Sequence, residues 1–117
     1  MNNRNFTRVN YSVGASVHFG SDVVMCNTAN LSIHGMYLNT EQDLPLNIPV
    51  HVTVHKSNHT SFMVQAEIVR KDANGAGLLI HDLSAHSFAQ LRDIVSENST
   101  DYGEIVKETL SMLACIH

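Results

Sequence analysis

An alternation of apolar and polar residues with a period of two dominates the chain from Tyr11 to Ile80. Valine, alanine and phenylalanine occupy every second position in residues 13–19, and residues 50–54 and 62–68 repeat the pattern. Such alternation is typical of half-buried antiparallel strands. The turn-forming sequence Asp-Ala-Asn-Gly at 72–75 predicts a hairpin. We therefore expect six strands, near residues 11–19, 22–31, 35–39, 48–56, 60–72 and 75–81.

Strand closure and a change of period complete the fold prediction. Short strands at regular spacing favour a closed barrel, because closure removes exposed strand edges. After Leu83 the apolar period lengthens to three or four residues, as in an amphipathic helix, and Ser84 can cap its start. Residues 98–101 then end this helix and can begin a second. The apolar residues predicted to share one side of the second helix are Ile105, Val106, Leu110 and Leu113. The sequence thus predicts a mainly β fold, a six-stranded antiparallel barrel with one or two C-terminal helices.

Length and composition limit the class of protein. The 117 residues suffice for one domain with its own core. No apolar run approaches the roughly 20 residues of a bilayer-spanning helix. We expect a cytoplasmic location because the N-terminus lacks the basic-then-apolar pattern of a signal peptide. Cys26 and Cys115 are far apart, and no disulfide is expected between them in that compartment. The net charge of −4 disfavours binding to DNA or RNA, which depends on basic surface.

Charge is unevenly distributed, and the N-terminal arm is its cationic part. Arg4 and Arg8 are the only Lys, Arg, Asp or Glu among the first 21 residues. The other 96 residues contain five Lys and Arg against eleven Asp and Glu. A small cationic arm ahead of an acidic body predicts a discrete anionic ligand rather than a long phosphate-tracking surface. Because it has few apolar residues, the arm is expected to be mobile until ligand binds.

A second polar segment, NLSIHGMYL, occupies residues 30–38. On a strand, Asn30 and Ser32 would project from the same face. Gly35 supplies backbone freedom for a bulge or turn beneath a ligand. His34 can stack on or hydrogen-bond a ligand there, which would make binding sensitive to pH near neutrality. Taken alone, the segment is more typical of an ordinary turn.

In combination, the arm and this segment resemble the PilZ domain family. The resemblance rests on Arg-x-x-x-Arg (Arg4, Arg8), on Asn-x-Ser-x-x-Gly beginning 22 residues after Arg8, and on the strand sequence at 75–80, and it extends to about residue 95. It implies a β-barrel receptor for the bacterial second messenger cyclic di-GMP. Such a receptor changes conformation on binding to regulate motility, biofilm or exopolysaccharide production. The residues assigned to the ligand are Arg4, Arg8, Asn30, Ser32 and Gly35, with His34 added for its position.

The chemistry of arginine fits the ligand that the resemblance implies. Guanine presents O6 and N7 side by side, and a guanidinium fork can bond both or pair with a phosphodiester. Arg4 and Arg8 span roughly 13 Å in an extended chain and can reach opposite sides of a dinucleotide. Many family members have aspartate where Asn30 stands, and an amide should hold guanine N–H groups less strongly. Many also have a further arginine where Asn3 stands, so the number of ligands bound, one or a stacked pair, stays open.

Parts of the sequence are also compatible with other functions. A protein–protein adaptor of the same fold would bind no nucleotide, although such relatives tend to lose the arginines. A barrel for single-stranded nucleic acid would need aromatic residues in a basic groove, which the charge disfavours. No metal site is expected, because His51 and His55 alternate with valines and so lie about 13 Å apart on a strand.

The expected organisation is a ligand-binding arm at 1–10, a barrel at 11–83 and a helical segment at 84–117. The last helix either seals the barrel end or pairs two subunits in a homodimer. We predict no enzymatic activity, because the sequence has no nucleophile motif and no phosphate-binding glycine loop. Besides cyclic di-GMP, the expected partner is a downstream protein, with no membrane, DNA or RNA partner and no cofactor or metal.

Overall fold

A closed antiparallel barrel of six strands forms the centre of the computed structural model, which describes residues 6–117. The strands are β1 (Val9–Asn10), β2 (Gly14–Phe19), β3 (Asp22–Leu31), β4 (Gly35–Asn39), β5 (Pro49–His55), β6 (Ser61–Lys71) and β7 (Gly75–Asp82). Strands β3, β2, β5, β6, β7 and β4 follow one another around the barrel, and pairing of β4 with β3 closes it. The short strand β1 is additional and pairs Val9 with Leu31 and Asn10 with Asn30 of β3. The predicted fold is confirmed.

The period-two pattern places apolar side chains inside the barrel. In β5, Val50, Val52 and Val54 are buried, whereas His51 and His55 are exposed. Strand β6 repeats this arrangement with four buried residues that pair across from β5 and β7. These four are Phe62, Val64, Ala66 and Ile68.

Two helices follow the barrel, and each begins at a side-chain cap. The Ser84 hydroxyl accepts a hydrogen bond from the Ser87 N–H at 3.0 Å, where α1 (Ala85–Glu97) starts. The Asp101 carboxylate accepts one from the Glu104 N–H at 3.0 Å, where α2 (Tyr102–Ser111) starts. A 3₁₀ turn (Leu113–Cys115) ends the chain against the barrel. No helix in residues 6–117 is long and apolar enough to cross a membrane.

The prediction that Ile105 shares one apolar side of α2 with Val106, Leu110 and Leu113 is wrong. Val106, Leu110 and Leu113 are 63%, 66% and 59% exposed. The inward side consists of Ile105, Glu108 and Met112, all buried. Residues at spacings of three and four share a helix face, and here a carboxylate occupies the middle of that face. Residue type alone therefore could not identify the side that packs.

Candidate ligand-binding site

The described part of the N-terminal arm, residues 6–10, lies against the barrel. Val9 is buried where β1 pairs with β3. Arg8 precedes it, and its Nη1 donates a hydrogen bond to Oδ1 of Asn30 at 2.7 Å. The arm and the Asn-x-Ser-x-x-Gly segment therefore meet in space, as the sequence predicts. Arg4 lies outside the described residues.

Ser32 belongs to a tight turn between β3 and β4. Its N–H donates to the Gly35 carbonyl oxygen at 2.8 Å, and its hydroxyl accepts from the N–H groups of His34 at 3.1 Å and Gly35 at 3.0 Å. The expectation that Ser32 shares a strand face with Asn30 is wrong, because β3 ends at Leu31. The buried hydroxyl instead fixes the shape of the turn.

Gly35 allows two strands to approach closely. A β-carbon at this position would overlap the backbone carbonyl oxygen of Leu78 on β7. Residue 35 pairs with Leu79, so the glycine lies where β4 meets β7. Close approach of β4 to β7, next to the site, is therefore the reason for glycine here, rather than the expected freedom for a bulge or turn.

A pocket of about 420 Å³ opens between the arm, the 32–35 turn and strands β6 and β7. Its volume is within the range of about 300–1,000 Å³ that is usual for small-molecule sites. No carboxylate occurs among the described residues that line it. Its polar and aromatic lining includes Phe6, Arg8, Ser32, His34 and Arg70.

Arg70 is the functional candidate that sequence reasoning missed. It pairs with Gly77 on β7, where a β-carbon would lie 3.0 Å from Nε of Arg70. The glycine thus leaves room for the guanidinium to lie across the neighbouring strand. Arg70 Cζ is 5.4 Å from the centre of the Tyr37 ring, a cation–π contact. The available signal was Gly77 itself, but only strand pairing connects it with Arg70.

Asp72 holds the hairpin beside Arg70. Its Oδ1 accepts hydrogen bonds from the Tyr37 hydroxyl at 2.6 Å and from the Asn74 N–H at 2.9 Å. The Tyr37 bond first, and the Asn74 bond second, lower the pKa of Asp72. Its carboxylate lies 4.0 Å from the Arg70 guanidinium, on an exposed surface where such a pair contributes little. The hydrogen bonds of Asp72 confirm the predicted hairpin at 72–75, and Asp72 itself is not among the residues that line the pocket.

Two like charges share the pocket. Burial, and then the positive charge of Arg70, lower the pKa of Arg8. Arginine nevertheless stays protonated in proteins. The two guanidiniums therefore repel each other in a pocket whose described lining has no carboxylate. A bound anion would relieve this repulsion, and the guanidinium fork matches the geometry of a carboxylate or a phosphodiester.

Aromatic groups lie beside the two cations. The Phe6 and His34 ring centres are 4.4 Å apart, with their planes inclined at 47°. Phe6 comes from the arm and His34 from the 32–35 turn, so this contact links the same two segments as Arg8 and Asn30. Flat rings next to guanidiniums suit a ligand that has both aromatic rings and negative charge.

Within residues 6–117, His55 and the buried Cys26 have surroundings of their own, away from the pocket. No group of three or more His, Cys, Asp or Glu in this range could hold a metal ion. The His55 Nε2 atom is instead 2.9 Å from the Ser16 hydroxyl. Burial raises the pKa of Cys26 to about 11, so its thiol stays protonated at neutral pH.

The fold and the pocket define a small β-barrel domain in which the N-terminal arm and the 32–35 turn line a cationic pocket. The family model of the PilZ domain matches residues 2–97, and the chain belongs to that family. The match includes the arm, the barrel and α1. Helix α2 lies beyond it.

Solved structures share this fold at low sequence identity. The PilZ domain of YcgR from Escherichia coli, solved with c-di-GMP, has a TM-score of 0.68 and 12% identity over 83% of this chain and 92% of that chain. The PilZ domain of CeSA from a cellulose-synthesizing bacterium has a TM-score of 0.62 and 17% identity over 77% and 95%. Bacillus subtilis MotI/DgrA, an inhibitor of motility, has a TM-score of 0.68 and 11% identity over 83% and 51%. This chain thus spans about half of MotI. A comparison with curated proteins found no match.

Proposed function

We propose that this chain is a non-catalytic receptor for cyclic di-GMP, which changes conformation on binding and so regulates a downstream process. One observation carries the proposal: Arg8 and Arg70 meet in a pocket with no carboxylate in its described lining, beside the turn of a PilZ domain. The body of the protein is acidic, so this pairing of cations is not a consequence of overall charge.

Each part of the ligand has a matching group in the pocket. The two phosphodiesters or the O6 and N7 edges of guanine can accept bidentate hydrogen bonds from Arg8 and Arg70. The guanine rings can stack on a guanidinium plane or on the Phe6 and His34 rings. Arg4 completes the Arg-x-x-x-Arg motif and is proposed as a further fork on the same ligand.

The remaining motif residues shape the site. Asn30 holds the Arg8 side chain, and Ser32 holds the turn whose backbone lines the pocket. Gly35 permits the close pairing of β4 and β7 beside it. His34 lies at the pocket wall, where it can contact the ligand. We propose that these four residues support binding mainly by position, and that the arginines supply most of the affinity.

The similar structures support a regulatory function. The YcgR domain was solved with c-di-GMP, and MotI is described as an inhibitor of motility. We propose that the present chain likewise acts on a process of the motility, biofilm or exopolysaccharide type through a protein partner.

Isothermal titration of cyclic di-GMP into the wild type and three arginine variants tests the proposal. Loss of a charge-assisted fork should weaken binding at least about tenfold in Arg8→Ala and in Arg70→Ala. Arg92→Ala is the matched control, because Arg92 is exposed on α1 and pairs with Asp93 at 3.5 Å, outside the pocket. Equal binding heats in all four proteins would refute the site.

A protein–protein adaptor that binds no nucleotide is the second candidate. The observation that favours it is an exposed apolar surface, formed by Tyr102, Val106 and Leu110 of α2 and by Leu113 of the 3₁₀ turn. Thermal melting separates the two functions, since a ligand that binds only the folded state raises the melting temperature with its concentration. A receptor should melt higher with cyclic di-GMP, and an adaptor should melt at the same temperature with or without it.

A further inference from the structure

Glu108 is a buried carboxylate that contacts the ligand-binding arm. It has no exposed surface, although it carries an ionisable group in the last helix of the chain. Its Oε1 and Oε2 accept hydrogen bonds from the Thr7 N–H at 2.9 and 3.0 Å, and Oε2 accepts from the Thr7 hydroxyl at 2.6 Å. Thr7 lies inside the Arg-x-x-x-Arg motif, immediately before Arg8.

We propose that Glu108 is a positioning residue for the ligand arm, which holds Thr7 so that Arg8 is presented to the pocket. The inference rests on the proposed function for its effect on ligand affinity. It goes beyond the family resemblance, because Glu108 lies outside the 2–97 range that the PilZ family model matches.

The energetics of burial make this contact strong. An ionised carboxylate without partners is costly inside a protein, so its hydrogen bonds must replace those of water. The arm supplies all of the hydrogen bonds that the structure assigns to Glu108, through a single residue. Detaching the arm would break all of these hydrogen bonds at once, which favours the attached arm.

The helix that carries Glu108 is itself fixed. Ile105 and Met112 are buried on the same side of α2 as Glu108. After α2, the Leu83 N–H donates to the Cys115 carbonyl oxygen at 3.0 Å, and the His117 N–H donates to the Leu83 carbonyl oxygen at 2.9 Å. The Glu108 carboxylate is thus held at a defined place relative to the barrel. Its hydrogen bonds to Thr7 then fix the arm relative to the carboxylate.

A positioned arm lowers the cost of binding. Ordering a segment on binding opposes affinity, whereas a segment that is already placed avoids that cost. Because Thr7 and Arg8 are adjacent, fixing the Thr7 backbone restricts where the Arg8 guanidinium can reach. The hydrogen bond of Arg8 to Asn30 then completes the placement.

Glu108→Met is the decisive variant. Methionine has a similar length and favours helices, so Glu108→Met keeps a side chain of similar volume on the inward side of α2. It offers no acceptor to Thr7. Glu104→Met is the matched control, because it removes the same charge one turn earlier on α2. Glu108→Gln keeps an oxygen acceptor for Thr7 and should therefore retain part of the arm protection and of the ligand affinity that Glu108→Met loses. Thr7→Val removes one donor from the arm and leaves the inward side of α2 intact.

Two measurements read out the result. Hydrogen exchange without ligand should show the amides of residues 7–9 exchanging on the order of tenfold faster in Glu108→Met than in Glu104→Met, with the amides of strands β2 to β7 unchanged. Titration should show that Glu108→Met binds cyclic di-GMP about tenfold more weakly than Glu104→Met does. Equal arm protection and equal affinity in the two variants would overturn the inference. If the wild type bound no cyclic di-GMP, the proposed function would fail, and the exchange data would still decide whether Glu108 holds the arm.

Discussion

Arg8 donates a hydrogen bond from Nη1 to Oδ1 of Asn30 at 2.7 Å, joining the arm to the end of β3. The two residues belong to the two separate motifs of the PilZ resemblance. Their contact shows how one motif positions the other. The Asn30 side-chain oxygen thus holds a guanidinium that lines the pocket.

Asn30→Ala should weaken cyclic di-GMP binding about two- to tenfold, since it removes one hydrogen bond that orients Arg8. Asn30→Asp should retain binding, because a carboxylate also accepts from the guanidinium. Titration calorimetry measures both. Asn39→Ala is the control, since Asn39 is exposed at the far end of β4. Unchanged affinity in Asn30→Ala would show that the 2.7 Å contact does not position Arg8 for binding.

Gly35→Ala should lower the free energy of unfolding by about 1–3 kcal/mol, the usual cost of forcing an extra group into a packed site. The added carbon would meet the backbone of Leu78, which cannot rotate away as a side chain can. Gly14→Ala is the control, because nothing lies within 4 Å of a β-carbon there. Urea denaturation measures the difference. Equal stability of the two variants would refute the packing argument for Gly35.

Cys26 should react slowly with a thiol reagent at pH 8, and Cys115 should react faster. Burial raises the pKa of Cys26 to about 11, and only the thiolate is nucleophilic. At pH 8 the thiolate fraction of Cys26 is on the order of one in a thousand, and it rises as the pH approaches the raised pKa. Reaction with a disulfide reagent, followed by absorbance with Cys26→Ser and Cys115→Ser as controls, measures the two rates. Equal rates in the native protein would contradict the burial of Cys26.

A homodimer through α2 stays a prediction. The exposed side chains of Val106 and Leu110 are the apolar surface that such a dimer would cover. Sedimentation velocity should show a dimer for the wild type and a monomer for Leu110→Glu. Lys107→Glu, an exposed change on the same helix, controls for added negative charge. A monomeric wild type at the highest concentrations would make the prediction wrong.

The barrel could be predicted because its signal is local. Alternation in segments such as 50–54 and 62–68 depends only on neighbouring residues, and it gave strand positions that agree with β5 and β6. The caps at Ser84 and Asp101 are local signals too. Strand β1 was not predicted, because two residues are too few to show an alternation of apolar and polar side chains. It is a strand only through its pairing with β3.

The site could be predicted only in part. The Arg8 and Asn30 segments carry motifs, so their meeting was expected. Arg70 carries none: its place depends on which residue of β7 lies opposite, a property of register that no local pattern shows. Glu108 could not be predicted either, because the general rule places a charged helix residue on the solvent side. Its burial follows from a distant partner, Thr7.

The most direct test of the central claim is a crystal structure of the protein grown with cyclic di-GMP. The dinucleotide should occupy the pocket between the arm and the 32–35 turn, with the Arg8 and Arg70 guanidiniums within hydrogen-bonding distance of its phosphates or guanine edges. The same electron density would distinguish one ligand from a stacked pair. An empty pocket, or a dinucleotide bound elsewhere with Arg8 and Arg70 directed into solvent, would contradict the account.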